Sequence, residues 1–591
     1  MKATFFCVML IFATTVLSST IYSQVKVPEK WITHFEKTGY METESYDETM
    51  AYFRELANAS PYAKMFSFGV SPQGRNLYCL VVSKDKAFNP VAAKNTGKPI
   101  VFIENGIHSG EIEGKDASML LLREILVTKE KENLIDNSIL MVIPIFSVDA
   151  HERFSPYNRI NQNGPTNMGW RTTSQNLNLN RDWTKADAPE MKAMLKLFST
   201  WLPDFFVDTH TTDGADYQYT ITYSMEHYQN VYTGTRKWIT DKLMPYLNKS
   251  VNDDGFLIAP YLEFKDRKIE NGIVGASFSP RFSHTYATAQ NRPGLLIETH
   301  MMKPYKDRVF STKSLLNAII NFTNENGKEL IALNKAADKS AVEKYSIEKN
   351  YLPLSLEVTD KSKPFHFMGI KAEHDSSWVS GVTWTRYTGE KYETVLPYYD
   401  EMKVTDSVLA PREYLIPKEW GKWENLIDRI ELHGIKVEQL KSPETFNVTE
   451  YKFNNVKFAN YSYEGRQRVK ADYNLVYKTV TVPDGTYVIK TNQRTIKLIV
   501  NLLEPKASDS FLEWGFFNSI FEQKEYFESY VMEKIARQMM DKDPKLKKEF
   551  EEKLATDDSF RNNPRQRLNF FYSRSPYVDD HLNVYPVLRV E

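Results

Sequence analysis

The chain has little cysteine, two residues in 591. Cys7 lies in an N-terminal apolar stretch and only Cys79 lies beyond it, so no internal disulfide is expected after that stretch. Stability therefore has to come from core packing. The chain also lacks an excess of charge of either sign, with 75 Lys plus Arg against 76 Asp plus Glu. This balance leaves no electrostatic footprint for nucleic acid or an anionic membrane surface, so any preference for a charged ligand must arise from local groups. No apolar run past the N-terminus is long and uncharged enough to cross a bilayer, and no membrane span is expected. Internal repeats and low-complexity linkers are absent as well. What remains has the composition of an ordinary globular protein but exceeds what one hydrophobic core supports, so at least two domains are expected.

Met1-Lys2, the apolar stretch Phe5 to Leu17 and the small polar residues through Ser23 have the layout of a secretory signal peptide. Residues 1–23 are expected to be that signal, and the mature protein to be secreted or periplasmic. From about 45 to 335 short apolar, β-branched runs alternate with helical patterns, the signature of an α/β domain. Strands are expected at Leu77 to Val82, Pro99 to Ile103, Ile139 to Ile145, Phe205 to Asp208 and Gly294 to Ile297, with helices at Ala117 to Leu126, Pro189 to Leu197 and Lys313 to Phe322. Continuous apolar strands predict a sheet covered on both faces. A catalytic unit is thus assigned to 24–340.

From about 340 Trp, Tyr and Thr recur in short alternating runs. Pro483-Asp-Gly485 between Thr479-Val-Thr-Val482 and Thr486-Tyr-Val-Ile489 predicts a hairpin, and Glu419 to Leu432 predicts a helix stopped by Gly434. These features suggest a β-rich accessory domain over 341–505. Helical spacing of aromatics and Leu from Phe511 onward suggests a helical segment over 506–591.

His108-Ser-Gly-Glu111 follows the apolar run Pro99 to Ile103 and precedes a helical pattern. A His and a Glu three residues apart can grip one metal ion, and a catalytic zinc site needs a further ligand, for which His210 in Phe205-Phe-Val-Asp-Thr-His210 is the natural candidate. The alternative is a hydrogen-bonded loop His beside a helix-start Glu. His108, His210 and Glu298 are all expected just after strands, where ligands of such sheets gather. Glu298 directly follows a buried apolar run, so it faces a polar cavity or forms an ion pair with an arginine. Trp170-Arg171 and Asn178-Leu-Asn-Arg181-Asp-Trp183 supply guanidinium and amide groups between these positions.

Over residues 45 to 325 the chain resembles the zinc carboxypeptidase family typified by carboxypeptidase A. The resemblance rests on Gly69-Val-Ser-Pro-Gln-Gly74-Arg75, His108-x-x-Glu111, Trp170-Arg171, Asn180-Arg181, His210 and Glu298, in the family's order. It implies a mixed, mostly parallel sheet sandwiched by helices, and one Zn2+ per chain held by His108, Glu111 and His210. It also implies Glu298 as general base, Arg171 as oxyanion stabiliser, and Asn180 with Arg181 as the clamp on a substrate carboxylate. The implied activity is that of an exported metallocarboxypeptidase acting on peptides with a free C-terminal carboxylate. An amidohydrolase for acylated amino acids or cell-wall peptides would use the same residues, and a non-catalytic surface-binding protein would use only the second half. Three departures from the family pattern stand out. Gly110 replaces the Arg that many relatives carry before the ligand Glu, Val148-Asp-Ala-His151 replaces an Asn-Pro-Asp-Gly loop, and Ala276 to Phe282 lacks the Tyr that covers the substrate, Tyr286 being the nearest. His300 is placed to orient a ligand or the base, whereas His151, His227 and His284 have no partner at metal-ligand spacing.

Overall fold

In the computed structural model, which describes residues 27–591, the apolar runs of the first half are strands. The expected signal peptide, residues 1–23, lies outside them. The strands are β1 (Ala63–Val70), β2 (Asn76–Val82), β3 (Ile100–Asn105), β4 (Ile139–Ile143), β5 (Phe205–Thr212), β6 (Ile221–Met225) and β7 (Ile258–Pro260), then the short β8 (Glu263–Phe264) and β9 (Ile273–Val274), and β10 (Gly294–His300). One eight-stranded sheet has the order β1-β2-β4-β3-β5-β10-β6-β7. Its centre, β4-β3-β5-β10, is parallel, and antiparallel pairs flank it. This is the mixed, mostly parallel sheet the sequence led us to expect. From β3 the chain goes first to β4 on one side and later to β5 on the other, and at such a switch the loops diverge and leave a crevice beyond the strand ends.

Alternation along the strands decides what enters the crevice. Phe205 and Val207 join a core packed under the helices Glu113–Leu126 and Tyr305–Val342, while Phe206 joins the core on the opposite face. Asp208 and His210, in step with Phe206, therefore project on that opposite face, as does Glu298, in step with Leu296. The expectation that His210 and Glu298 follow their strands needs correction, since both lie within β5 and β10, directly opposite each other in the register. Hydrogen bonding to neighbouring strands continues after the apolar residues stop, because Thr209 to Thr212 and Thr299 remain buried.

The second half contributes β11 (Tyr351–Val358), β12 (Lys363–Ser376), β13 (Thr383–Tyr399), β14 (Met402–Leu409), β15 (Glu413–Ile416), β16 (Glu438–Gln439), β17 (Glu444–Phe458), β18 (Val469–Val482), β19 (Tyr487–Lys490) and β20 (Leu588–Val590). Six of these form a sheet in the order β16-β19-β15-β20-β17-β18. The hairpin expected across Pro483-Asp-Gly485 does not form. A turn is present, with Gly485 at φ +82°, but β18 pairs with β17, and β19 crosses to pair with β15 and β16. That route buries Ile489 completely, whereas an edge place beside the largely exposed β18 would leave it in water. The helix expected over 419–432 is split into Lys418–Lys422 and Leu426–Leu432 by Glu424 and Asn425 at φ +49° and +55°. The break frees the Glu424 carbonyl for Arg429 Nε (2.9 Å) and aims its carboxylate at Arg466 (2.7 Å). Gly434 takes the left-handed cap as expected, φ +75°. Helices do fill much of 529–572, and the chain end then returns as β20 into the six-stranded sheet.

The two halves share one core. Trp183, Phe198, Phe206 and Tyr286 from the α/β half pack in the same apolar cluster as Tyr414, Ile427, Leu498 and Trp514. The C-terminal half thus covers the sheet face on which His210 and Glu298 project.

Candidate metal centre

β3 ends at Asn105, and Gly106 at φ +69° turns the chain so that His108 and Glu111 hang over the crevice. His210 comes from β5. The three ligand atoms of His108, Glu111 and His210 lie within 4.8 Å of one another, and all three residues are buried. Glu111 Oε2 lies 3.2 Å from His108 Nδ1 and 3.0 Å from His210 Nδ1.

The other edge of each imidazole fixes its tautomer. His108 Nε2 donates to Asn178 Oδ1 at 2.9 Å; that oxygen also accepts the Asn180 N–H at 3.0 Å, which settles the orientation of the amide. His210 Nε2 donates to Asp208 Oδ2 at 2.6 Å, and Ser283 Oγ donates to the same oxygen at 2.5 Å. With both Nε2 positions protonated, both Nδ1 atoms point at the Glu111 carboxylate; Asp208 and Glu111 hold the His210 imidazole well above its ordinary value despite burial, so a metal ion would take the place of the proton on its Nδ1. A cation satisfies such an arrangement, and two imidazoles plus one carboxylate with room for water is the donor set of a catalytic zinc site.

Electrostatics support the geometry. Burial pushes the His108 imidazole down to about 4, which keeps it neutral and able to ligate. Burial works against charge on Glu111 too, but His108 and Arg159 outweigh it and hold this carboxyl well below the usual range. Glu111 Oε1 accepts from Arg159 Nη2 at 2.7 Å and Arg171 Nη1 at 3.0 Å. Arg159 also accounts for Gly110. A Cβ there would meet Arg159 Cγ at 2.7 Å and the Gly169 carbonyl oxygen at 2.8 Å. The guanidinium beside the ligand Glu thus comes from a distant loop, and the missing side chain makes room for it.

Glu298 stands opposite His210 and forms no ion pair among the described residues, so the arginine pairing weighed from the sequence is not formed; its Oε2 has no hydrogen-bond partner. Burial first, then the carboxylates Glu111 and Asp208, push it up to about 8 against the pull of His210. A dication bound between the three ligands would draw it back down.

Of the predicted carboxylate clamp, Asn180 is buried with its amide engaged inside the protein. Its Oδ1 accepts the Ser283 N–H at 2.9 Å and its Nδ2 lies 3.3 Å from His210 Nε2. Arg181 instead is partly exposed. Its Nη1 donates to the Asn180 carbonyl at 2.7 Å and its Nε to Tyr463 Oη at 3.2 Å, and no carboxylate among the described residues pairs with it. Tyr286 is fully buried, its hydroxyl 3.0 Å from His433 Nδ1, so it does not reach the cleft. His300 accepts the Met302 N–H at 3.3 Å and touches neither a ligand nor Glu298 through a hydrogen bond. The Val148 to His151 segment is a short helix whose Asp149 gathers Ser71 (2.7 Å), Gln73 (3.0 Å) and Arg75 (2.9 Å), tying the Gly69 to Arg75 stretch to the site's outer wall.

Sequence reasoning missed Asp208, Arg159, Tyr463 and the supporting role of Asn178. Asp208 carries a readable signal, a carboxylate two residues before a ligand His on a strand and hence on the same face.

Fold and donor set together define an α/β protein with, among the described residues, one three-donor candidate metal centre at the sheet's switch point. Residues 49–254 match the family model described as zinc carboxypeptidase. It is 23% identical over 497 residues to carboxypeptidase 2 of Trichophyton rubrum, covering 79% of this chain and 83% of that protein. A solved metallo-carboxypeptidase from Burkholderia cenocepacia is similar over 48% of this chain and 70% of its own, at 14% identity and a TM-score of 0.36. Carboxypeptidase A from Helicoverpa armigera is similar over 49% and 74%, at 16% identity and a TM-score of 0.35.

Proposed function

We propose that the chain is an exported metallocarboxypeptidase that removes the C-terminal residue of peptides, with His108, Glu111 and His210 holding its one zinc ion. Zinc, when bound, polarises the scissile carbonyl and lowers the pKa of the attacking water. The protein's own groups do the rest. Glu298, which has a free oxygen and sits opposite His210, takes the water's proton and delivers it to the leaving amine. Arg171, 44% exposed beside Glu111, faces the carbonyl oxygen as it gains charge. Arg181 takes the substrate's terminal carboxylate, and the Asn180 backbone carbonyl accepts from its Nη1 and so orients the guanidinium.

The observation that carries the reading is the state of Arg181. Arg159 and Arg171 both spend their charge on Glu111, whereas Arg181 has no counter-ion among the described residues although it is largely sheltered and adjoins the metal ligands. A sheltered guanidinium without a partner is a place made for an anion. Every group named here comes from the 24–340 unit, and the regions 341–505 and 506–591 complete the wall around it.

The test is a peptide of several residues offered with a free C-terminal carboxylate and, separately, amidated. Stepwise release of single C-terminal residues from the free acid is expected, with cleavage of the amide reduced at least ~10²-fold, because the amide leaves Arg181 unpaired. Equal cleavage of both would overturn the carboxylate assignment.

A further inference from the structure

The loop joining β17 to β18 reaches from the accessory region into the cleft. Tyr463 and Arg466 pair through backbone N–H···O bonds in both directions, 2.9 and 3.1 Å. Between them Glu464 and Gly465 take φ +51° and +74°, the backbone of a two-residue hairpin turn whose twist matches its strands. Positive φ is uncommon for Glu, and here it aims the carboxylate at the catalytic unit, where it accepts the Asn178 N–H at 2.8 Å. Asn178 is the residue that holds His108 Nε2. Arg466 secures the other flank. Its guanidinium grips Asp187 through two bonds of 2.9 and 2.6 Å and lies 3.8 Å from the ring centre of Phe516.

Tyr463 sits at the front of this clamped turn, 38% exposed, its ring parallel to Trp514 at 6.0 Å. Its oxygen accepts Arg181 Nε at 3.2 Å. The hydroxyl proton is given to no protein acceptor among the described residues, and Arg181 Nη2 likewise makes no hydrogen bond among them. Two unused donors therefore lie side by side at the mouth of the metal site, on a turn held at both flanks.

We propose that Tyr463 is a substrate-binding residue contributed by the accessory region, its O–H and Arg181 Nη2 together receiving the two oxygens of the substrate's C-terminal carboxylate. This rests on the carboxypeptidase reading, and it gives the second half of the chain a direct part in substrate selection. Nε is held by the tyrosine oxygen, which orients the guanidinium, and the tyrosine proton is thereby turned away from Arg181 toward the cleft.

The test uses the full chain in a Glu298→Gln background, in which the proposed mechanism slows turnover enough to measure binding, and measures Kd for a free-acid peptide and its amide before and after Tyr463→Phe. Phenylalanine keeps the ring against Trp514 and removes only the hydroxyl. The free acid should bind about 10-fold more weakly and the amide unchanged, and in the active enzyme KM should rise by a similar factor with kcat within about twofold. If the parent protein already binds acid and amide equally, the carboxylate reading fails and this inference with it. If the parent discriminates and Tyr463→Phe leaves that discrimination intact, the inference alone is overturned.

Discussion

The two walls of the cleft are built differently. The strand wall, β3, β5 and β10, carries Glu104, Asp208, His210 and Glu298 on one face, in positions fixed by the register Glu104↔Asp208 and Glu298↔His210. The loop wall carries Arg159, Arg171, Arg181 and Tyr463 from four separate segments. Among the described residues no guanidinium pairs with a strand-wall acid. Among the described residues Glu104 has no partner for either oxygen, and burial first, then Asp208, pushes its carboxyl well above the usual range. A chain with a net charge of −1 thus holds a strongly polarised cleft. In the proposed mechanism the rigid wall orients a metal ligand and supplies a base, while the loop wall supplies positive charge to metal ligand and substrate. Selectivity comes from local groups, as the balanced composition requires.

Substitutions on the two walls should fail in different ways. Arg171→Ala on the loop wall is expected to lower kcat by about 10² to 10³-fold, the effect of losing one oxyanion donor, while zinc content measured by mass spectrometry stays at one per chain. Loss of metal with it would mean that Arg171 serves the ligand Glu111 and not the reaction. Asp208→Asn on the strand wall should have the smaller and opposite signature. Removing the carboxylate behind His210 Nε2 is expected to weaken zinc about 10 to 100-fold in competition with a chromogenic chelator, with near-normal turnover once zinc is saturating. Unchanged zinc affinity would remove the strand wall's proposed part in holding the metal.

How much of this is legible in the sequence follows the same division. Strand cores are readable as apolar runs, and of the residues that the family resemblance singles out the structure brings His108, Glu111 and His210 together. The extension of β5 and β10 through His210 and Glu298 is not readable, since polar residues that stay buried by strand pairing carry no apolar signal. Arg159, Tyr463 and Glu464 reach Glu111, Arg181 and Asn178 across 48, 282 and 286 residues, and no local spacing encodes such contacts. The turn at Pro483-Asp-Gly485 was read correctly as a turn and wrongly as a hairpin. Local residues fix the turn, but the partner of β19 is chosen by burial of Ile489 in a core that residues 413 to 590 complete.

The proposed reaction stands on Glu298 as the base serving a zinc ion on His108, Glu111 and His210. Glu298→Gln tests it most directly, with zinc stoichiometry and free-acid peptide hydrolysis measured on the same preparation. One zinc per chain with hydrolysis lowered about 10² to 10⁴-fold is predicted. Hydrolysis at the parent rate, or a parent protein that holds no stoichiometric zinc, would contradict it.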